Sequence, residues 1–498
     1  MGSGVRFFMR LGVLGFGIFG WCLPVFAQNL VYTPIASSPV GRTPQAMTAG
    51  DFNRDGFLDL ATVNSTSDDV SILLSNGNGT FRSAVSFGVG KIPMAVATKD
   101  IDQDDILDLV VATSGTDQIV VLKGLGDGSF GSLKRYPSGK GTTFVLLHDI
   151  DENGSVDVIT ANSGRFGYYP PFNVSVLLNK GKGIFSEPTF YETEGRDGMF
   201  PTGVYAGDLT GDGLPDVAVT WSQPSWRTPN GLISLLVNQG KGKLSLEKEI
   251  DAGLTLSAIT GMDLNGDGRG DLVTTSLFTD SVTVLLQDEE GEFVNRGPMK
   301  VGFSPVSVAV RDLDGDGQLD LIVTNRDSNS VSVLLNRGEA TYQKAGHFSV
   351  GTTPSALVVE DFDLDELPDL ATADSDSDAV SVLLSGEGDI PLASVSAELV
   401  EFEVNREHTD SPERSVLLSN IGLGPLEVLN VEVVGKNPEA FSLTKNQCTK
   451  ATLKTGNSCA MHILFTPKEI GIHTAMIRVL DNSSGSPRVV MLKGTFKG

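Results

Sequence analysis

Histidine, cysteine and tryptophan are scarce in this sequence, with five, three and three in 498 residues. Three histidines, His408, His462 and His473, fall in the C-terminal part, and His148 stands where equivalent positions carry Gly, Lys, Met, Arg or Glu. No histidine-rich metal site follows from that distribution, nor is there a nucleophile elbow or a phosphate-binding glycine loop. Basic residues are also short, 37 Lys and Arg against 62 Asp and Glu. A net charge of −25 argues against a nucleic-acid partner, which usually meets a basic patch. Long apolar runs are missing beyond the N-terminus, so no transmembrane helix is expected there.

The one apolar run, from Leu11 to Leu23, follows Arg6 and Arg10 and precedes Val25-Phe26-Ala27. That order is the pattern of a secretory signal peptide over residues 1–27, with the mature chain starting near Gln28. An uncleaved membrane anchor is the alternative; four glycines and Pro24 weigh against it. Cys22 leaves with such a signal, and the two cysteines that remain, Cys448 and Cys459, form a close pair. In a secreted chain a close, even pair implies a disulfide that staples a domain.

The acidic excess is concentrated in a nine-residue loop that recurs seven times, starting at Asp51, Asp100, Asp149, Asp208, Asp263, Asp312 and Asp361. Spacings of 49, 49, 59, 55, 49 and 49 residues mark a repeat architecture with one supersecondary unit per period. Oxygen-bearing side chains stand at loop positions one, three, five and nine: Asp51, Asn53, Asp55 and Asp59; Asp100, Asp102, Asp104 and Asp108; Asp149, Asp151, Asn153 and Asp157; Asp208, Thr210, Asp212 and Asp216; Asp263, Asn265, Asp267 and Asp271; Asp312, Asp314, Asp316 and Asp320; Asp361, Asp363, Asp365 and Asp369. Oxygens clustered around a turn glycine suit a hard cation such as Ca²⁺, with a position-seven carbonyl and water completing the shell. Up to seven structural Ca²⁺ ions are therefore expected, and their charge offsets much of the excess. Asp105 and Glu366 replace the turn glycine, and Thr210 replaces a carboxylate or amide, so these three loops should bind most weakly. An EF-hand is excluded, because its twelfth position needs Glu and here holds Thr62, Val111, Thr160, Val219, Thr274, Val323 or Thr372.

Around each loop lie short β-branched runs, as in Val306–Val310, Leu321–Thr324, Val331–Leu335 and a run near Tyr342–Val350. Four strands per period and seven periods predict a seven-bladed β-propeller. The seventh repeat stops after Val380–Leu384, and Leu30-Val-Tyr-Thr-Pro-Ile35 at the other end supplies the missing strand, so the ring should close on itself. The expected fold class is thus all-β, a propeller over residues 28–389 followed by an Ig-like β-sandwich over 390–498.

The D-x-[DN]-x-[DN]-G-x-x-D loops, with segments such as Asn76-Gly-Asn-Gly-Thr-Phe81, resemble FG-GAP/VCBS-type repeats over roughly residues 29–389. That resemblance implies calcium-binding propellers of the kind found in bacterial secreted proteins and integrin α heads; the FG and GAP signatures themselves are degenerate here. The C-terminal stretch, with Cys448, Gly456-Asn-Ser-Cys459, Phe465-Thr-Pro467 and Leu492-Lys-Gly494, resembles bacterial choice-of-anchor D domains. This implies an ASH-related spacer or docking module.

The two tryptophans of the mature chain, Trp221 and Trp226, share one insertion with Arg227. The preceding repeat carries Arg165, Tyr168 and Tyr169 in the equivalent link, and Arg196 lies in a lengthened connection between them. These seven residues form a candidate ligand site on the face opposite the acidic loops, suited to an extracellular glycan or protein. Packing against the Ig-like domain is the competing explanation. The expected function is recognition or adhesion outside the cell, at a bacterial surface, periplasm or envelope. A lyase-like polysaccharide enzyme and a purely structural scaffold are the alternatives, and the residues give catalysis little support.

Overall fold

The computed structural model describes residues 30, 32–35, 37–164, 172–191, 199–223, 230–385, 391, 393–397, 399–405, 411–420, 425–454, 456–483 and 487–497. The expected signal segment, and Arg165, Tyr168, Tyr169, Arg196, Trp226 and Arg227 of the expected ligand site, lie outside the described residues.

Six four-stranded antiparallel sheets follow one another along the chain, each in the order first-second-third-fourth strand. In the sixth, Pro305–Arg311, Asp320–Asn325, Ser330–Asn336 and Tyr342–Ser349 pair in turn. Their burial explains the strand composition. The second and third strands are buried throughout, so they read as continuous apolar runs, whereas the fourth alternates exposed and half-buried positions at the rim. First strands of successive blades lie side by side, and the last, Pro354–Glu360, lies against the first, Pro44–Gly50, so the seven blades form a closed ring. With this meander, links between strands one and two and between three and four emerge on one face. The two-to-three links and the connections between blades emerge on the other.

Ring closure uses the N-terminal strand. Tyr32–Pro34 pairs antiparallel with Ala379–Ser385, Tyr32 opposite Ser385, and Ser38–Pro39 continues along the same partner. Tyr32 is 2% exposed, meets Phe348 edge-on at 5.0 Å and donates its hydroxyl to the Pro368 carbonyl at 3.2 Å. Its ring joins an apolar cluster with Leu313, Val333, Leu370 and Leu383, which spans the sixth and seventh blades. A seam between chain ends is thereby sealed like an ordinary blade interface.

The C-terminal domain is a two-sheet sandwich. One sheet orders Ala393–Val395, Arg414–Asn420, Ser458–Phe465 and Phe441–Asn446; in the other, Leu399–Asn405 runs parallel to Arg488–Lys497 beside Gly471–Asp481 and Leu426–Val434. Phe402, Phe441 and Phe465 stack in its core, and Cys448 and Cys459 form the expected disulfide, with Cα atoms 5.2 Å apart.

One repeated position varies chemically, with Thr113 in blade two and Ser276 in blade five. The last residue of the second strand is Asn64, Asn162 and Asn325 in blades one, three and six, but Asp374 in the seventh. Asn325 accepts the Gly302 N–H and donates to Ser332; Asp374, fully buried, instead accepts from Thr372 and Ser381 hydroxyls. Burial pushes its pKa up to about 6.

Two outcomes are expected. Tyr32→Ala should cost about 3–5 kcal/mol in chemical denaturation, the usual penalty for emptying a buried aromatic site. Asp374→Asn should stabilise the chain at pH 7–8 by on the order of 2 kcal/mol, because a carboxyl raised on folding favours the folded state only while protonated. That gain should fade as pH falls through about 6 toward 4, and a pH-independent effect would contradict it.

Candidate metal centres

Each acidic loop joins the first and second strands of its blade, and all seven share one internal hydrogen-bond plan. The position-one carboxylate accepts the backbone N–H of position six at 2.8–3.0 Å in every copy. The position-five side chain accepts the N–H of position seven at 2.7–3.1 Å, again in every copy. Position two is a buried apolar plug: Phe52, Ile101, Ile150, Leu209, Leu264, Leu313 or Phe362. Position six has positive φ throughout, from 63° at Asp105 to 90° at Gly56. Asp105 and Glu366 thus adopt the left-handed conformation that glycine takes elsewhere, at a cost of about 1 kcal/mol each, and keep the same hydrogen bonds.

The position-nine aspartates, all at most 2% exposed, have a second task that their motif role does not disclose. One oxygen accepts the N–H of position two, and the other accepts the N–H of the residue at or just past the end of the third strand, at 2.6–3.2 Å in all seven blades. Burial raises their pKa despite those bonds, to about 6 for Asp59, Asp108, Asp157 and Asp369 and about 7 for Asp320. The strand-closing residue reaches further. Side-chain amides of Asn179, Asn238, Gln287 and Asn336 donate to the position-two carbonyls of Ile101, Ile150, Leu209 and Leu264 in the preceding blade, at 2.5–3.0 Å. Loop order in one blade is thereby tied to its neighbour.

The remaining oxygens converge. Asp100, Asp102 and Asp108; Asp149, Asp151 and Asp157; Asp312, Asp314 and Asp316; and Asp361, Asp363 and Asp365 each bring three carboxylate oxygens within 4.8 Å of one another. Asp102, Asp314 and Asp363, all at position three, keep Oδ1 buried with no hydrogen-bond partner. Burial, with the Asp316 charge next, raises the Asp314 carboxyl, and burial likewise raises Asp363. Such oxygens are costly to leave unpaired and fit a hard divalent cation. In the fourth loop Thr210 hydrogen-bonds Asp216.

A family profile described as FG-GAP-like repeat matches residues 51–111, 100–160, 149–219, 263–323 and 312–372, together more than half of the chain and including all seven loops. The chain belongs to the FG-GAP-like repeat family. Residues 396–495 match a second profile, a HYDIN/CFA65/VesB-like, Ig-like domain. No curated protein matches the chain. Among solved structures, it is similar to a chain of the BBS1N complex with ARL6DN soaked with lead, at 13% identity over 72% of this chain and 98% of that one, TM-score 0.49. A protein from Lactobacillus plantarum follows at 13% identity, 63% and 86% coverage and TM-score 0.46. The Dos1 propeller is 12% identical, with 71% and 94% coverage and TM-score 0.46. These likenesses carry no functional argument.

Within this FG-GAP-like ring, the face opposite the acidic loops has its own repeated clamp, which sequence reasoning missed. Asp68, Asp117, Asp280, Asn329 and Asp378, all at positive φ in two-to-three turns, accept backbone N–H groups of Ile92, Gly141, Ser304, Thr353 and Thr43 at the start of the next blade. Its sequence signal was an Asp or Asn at a fixed place in each polar link. In sequence, blades three and four carry longer links at that place, residues 165–171 and 224–229, which lie outside the described residues. Trp221 is the described member of the expected ligand site, and it is 2% exposed. It sits in the second strand opposite Pro201 and Leu232, packed with Met199 and Val174. Its ring is core, at the base of the inserted link. Two histidines in the propeller stay apart: His148 pairs opposite Asp157, and His347 touches Ser332 at 2.8 Å on a rim strand.

Asp314→Asn should change sign with conditions. In EDTA it should raise Tm by a few degrees, since a buried unpaired carboxylate oxygen costs on the order of 1–3 kcal/mol. With a divalent cation present it should lower Tm relative to wild type. Calorimetric melting in both buffers checks this, and a variant that melts lower in EDTA as well would count against a cation-holding role.

Proposed function

We propose that this chain is a calcium-stabilised recognition protein of an oxidising extracytoplasmic compartment. Its propeller binds an extracellular glycan or protein on the face opposite the acidic loops, and the C-terminal sandwich is a spacer or docking module of the choice-of-anchor D type. Calcium is favoured among hard cations because the loops offer carboxylate, amide and hydroxyl oxygens around turns of left-handed backbone, with no nitrogen or sulfur donor in the described clusters. The Cys448–Cys459 disulfide supports the oxidising compartment. No helix among the described residues is long and apolar enough to cross a membrane.

The recognition reading rests on one observation, the longer links that the sequences of blades three and four carry where the other five blades have the turn clamp. Five blades carry a short Asp- or Asn-turn that pins the next blade. Blades three and four spend those positions on links containing Arg165, Tyr168, Tyr169, Trp226 and Arg227, with Arg196 in the connection between them. Longer links rich in aromatic and basic residues at two adjacent blades are accounted for by a ligand surface. Trp221 belongs to its support and not to its contact face.

A panel of polysaccharides titrated into the calcium-loaded protein tests this by tryptophan fluorescence. Buried Trp221 should contribute a constant blue component, so ligand-dependent change should come from Trp226. A saturable shift with one glycan class, abolished in Trp226→Phe and weakened at least tenfold in Arg227→Ala, is expected. No shift across the panel, with Trp226 also protected from quencher, would leave the links as packing elements.

A further inference from the structure

The second acidic loop differs from the other six in one residue outside the motif. The residue preceding the strand-closing position is apolar in six blades: Leu74, Leu178, Val237, Leu286, Leu335 and Leu384. In the second blade it is Lys123. Leu74, Leu178 and Leu384 lie beneath hairpin glycines of a neighbouring blade, where a Cβ added at Gly128, Gly242 or Gly79 would come within 2.5–2.9 Å of them. Lys123 turns instead into its own loop. Its Nζ pairs with Asp102 and lies 2.8 Å from Asp104, the position-three and position-five carboxylates. Two other loops have basic neighbours, but each engages a single motif carboxylate: Arg269 meets Asp267, and Arg337 meets Asp314 at 3.2 Å.

From this arrangement we infer that Lys123 is a resident counter-ion of the second loop, occupying ligand oxygens that a divalent cation would need. The inference rests on the calcium reading of the loops. An ammonium between two carboxylates does part of a cation's work, since it cancels charge where Asp100, Asp102, Asp104, Asp105 and Asp108 crowd together. It cannot supply the coordination of a divalent ion, so Asp102 Oδ1 stays without a partner. The ion must displace the ammonium before it gains both oxygens, and the second loop is therefore the weakest site of the ring. In return the second blade keeps its loop compensated when calcium is withdrawn. The basis is distinct from the glycine replacement at Asp105, because the seventh loop shares that replacement through Glu366 and has no such lysine.

Lys123→Leu, which restores the residue type of the other blades, tests the inference in the full chain. In EDTA the variant should melt several degrees below wild type, and the gap should close in saturating calcium. Isothermal titration with CaCl₂ should show one site at least tenfold tighter than its wild-type counterpart. Equal melting in EDTA together with superimposable titrations would overturn the inference. If Lys123→Leu does not fold, Asp104→Asn should leave the number of tight calcium sites unchanged whereas Asp316→Asn removes one; loss of a tight site in Asp104→Asn would equally overturn it. Should neither wild type nor variant bind calcium, the calcium reading falls, and the EDTA comparison alone decides whether Lys123 is the loop's cation.

Discussion

The position-nine aspartate is the group on which this propeller depends. It ends each acidic loop and begins each second strand, and its two oxygens hold the start of the loop and the end of the third strand at once. A buried carboxylate with both oxygens committed to backbone N–H groups ties the start of the loop to the end of the third strand, two segments that share no ladder of their own. The residue at the far end of that bond then passes the constraint on. In four blades its side-chain amide holds the loop of the preceding blade. Loop geometry, blade geometry and ring geometry are coupled through one repeated carboxylate.

That dependence explains the chain's acidity better than solubility does. Each loop concentrates carboxylates in a partly buried turn, where burial and mutual repulsion raise several of them above their ordinary range. Such a turn is poorly compensated by backbone donors alone, because Oδ1 of Asp102, Asp314 and Asp363 at position three stays buried with no hydrogen-bond partner. A hard cation bound among these oxygens would supply what the backbone cannot. The second blade answers the same electrostatic problem with an ammonium group.

The two faces of the ring divide the work. On the loop face every blade keeps the same hydrogen-bond plan, and the glycine replacements at Asp105 and Glu366 preserve it at the expense of backbone strain. On the other face a simpler clamp, one Asp or Asn accepting an N–H from the next blade, is repeated five times among the described residues, and the sequences of two neighbouring blades carry longer links at that place.

Much was legible in the residues. Period, strand count, ring closure by the N-terminal strand, the Ig-like sandwich and the disulfide all follow from local rules: β-branched runs, turn residues, matched spacing and a paired cysteine count. The left-handed turn at position six was equally readable, since a motif glycine announces a backbone requirement that Asp105 and Glu366 must then meet. What could not be read was direction. Trp221 and Trp226 look alike in a polar, proline-rich insertion, yet Trp221 lies within the second strand and packs in the core between blades. Lys123 looks like a surface lysine until its strand register aims it at Asp102 and Asp104. Repetition determines which segments pair, because hydrogen-bond ladders depend on spacing along the chain; which side chains meet across blades depends on strand twist and ring curvature, and only the closed tertiary structure decides that.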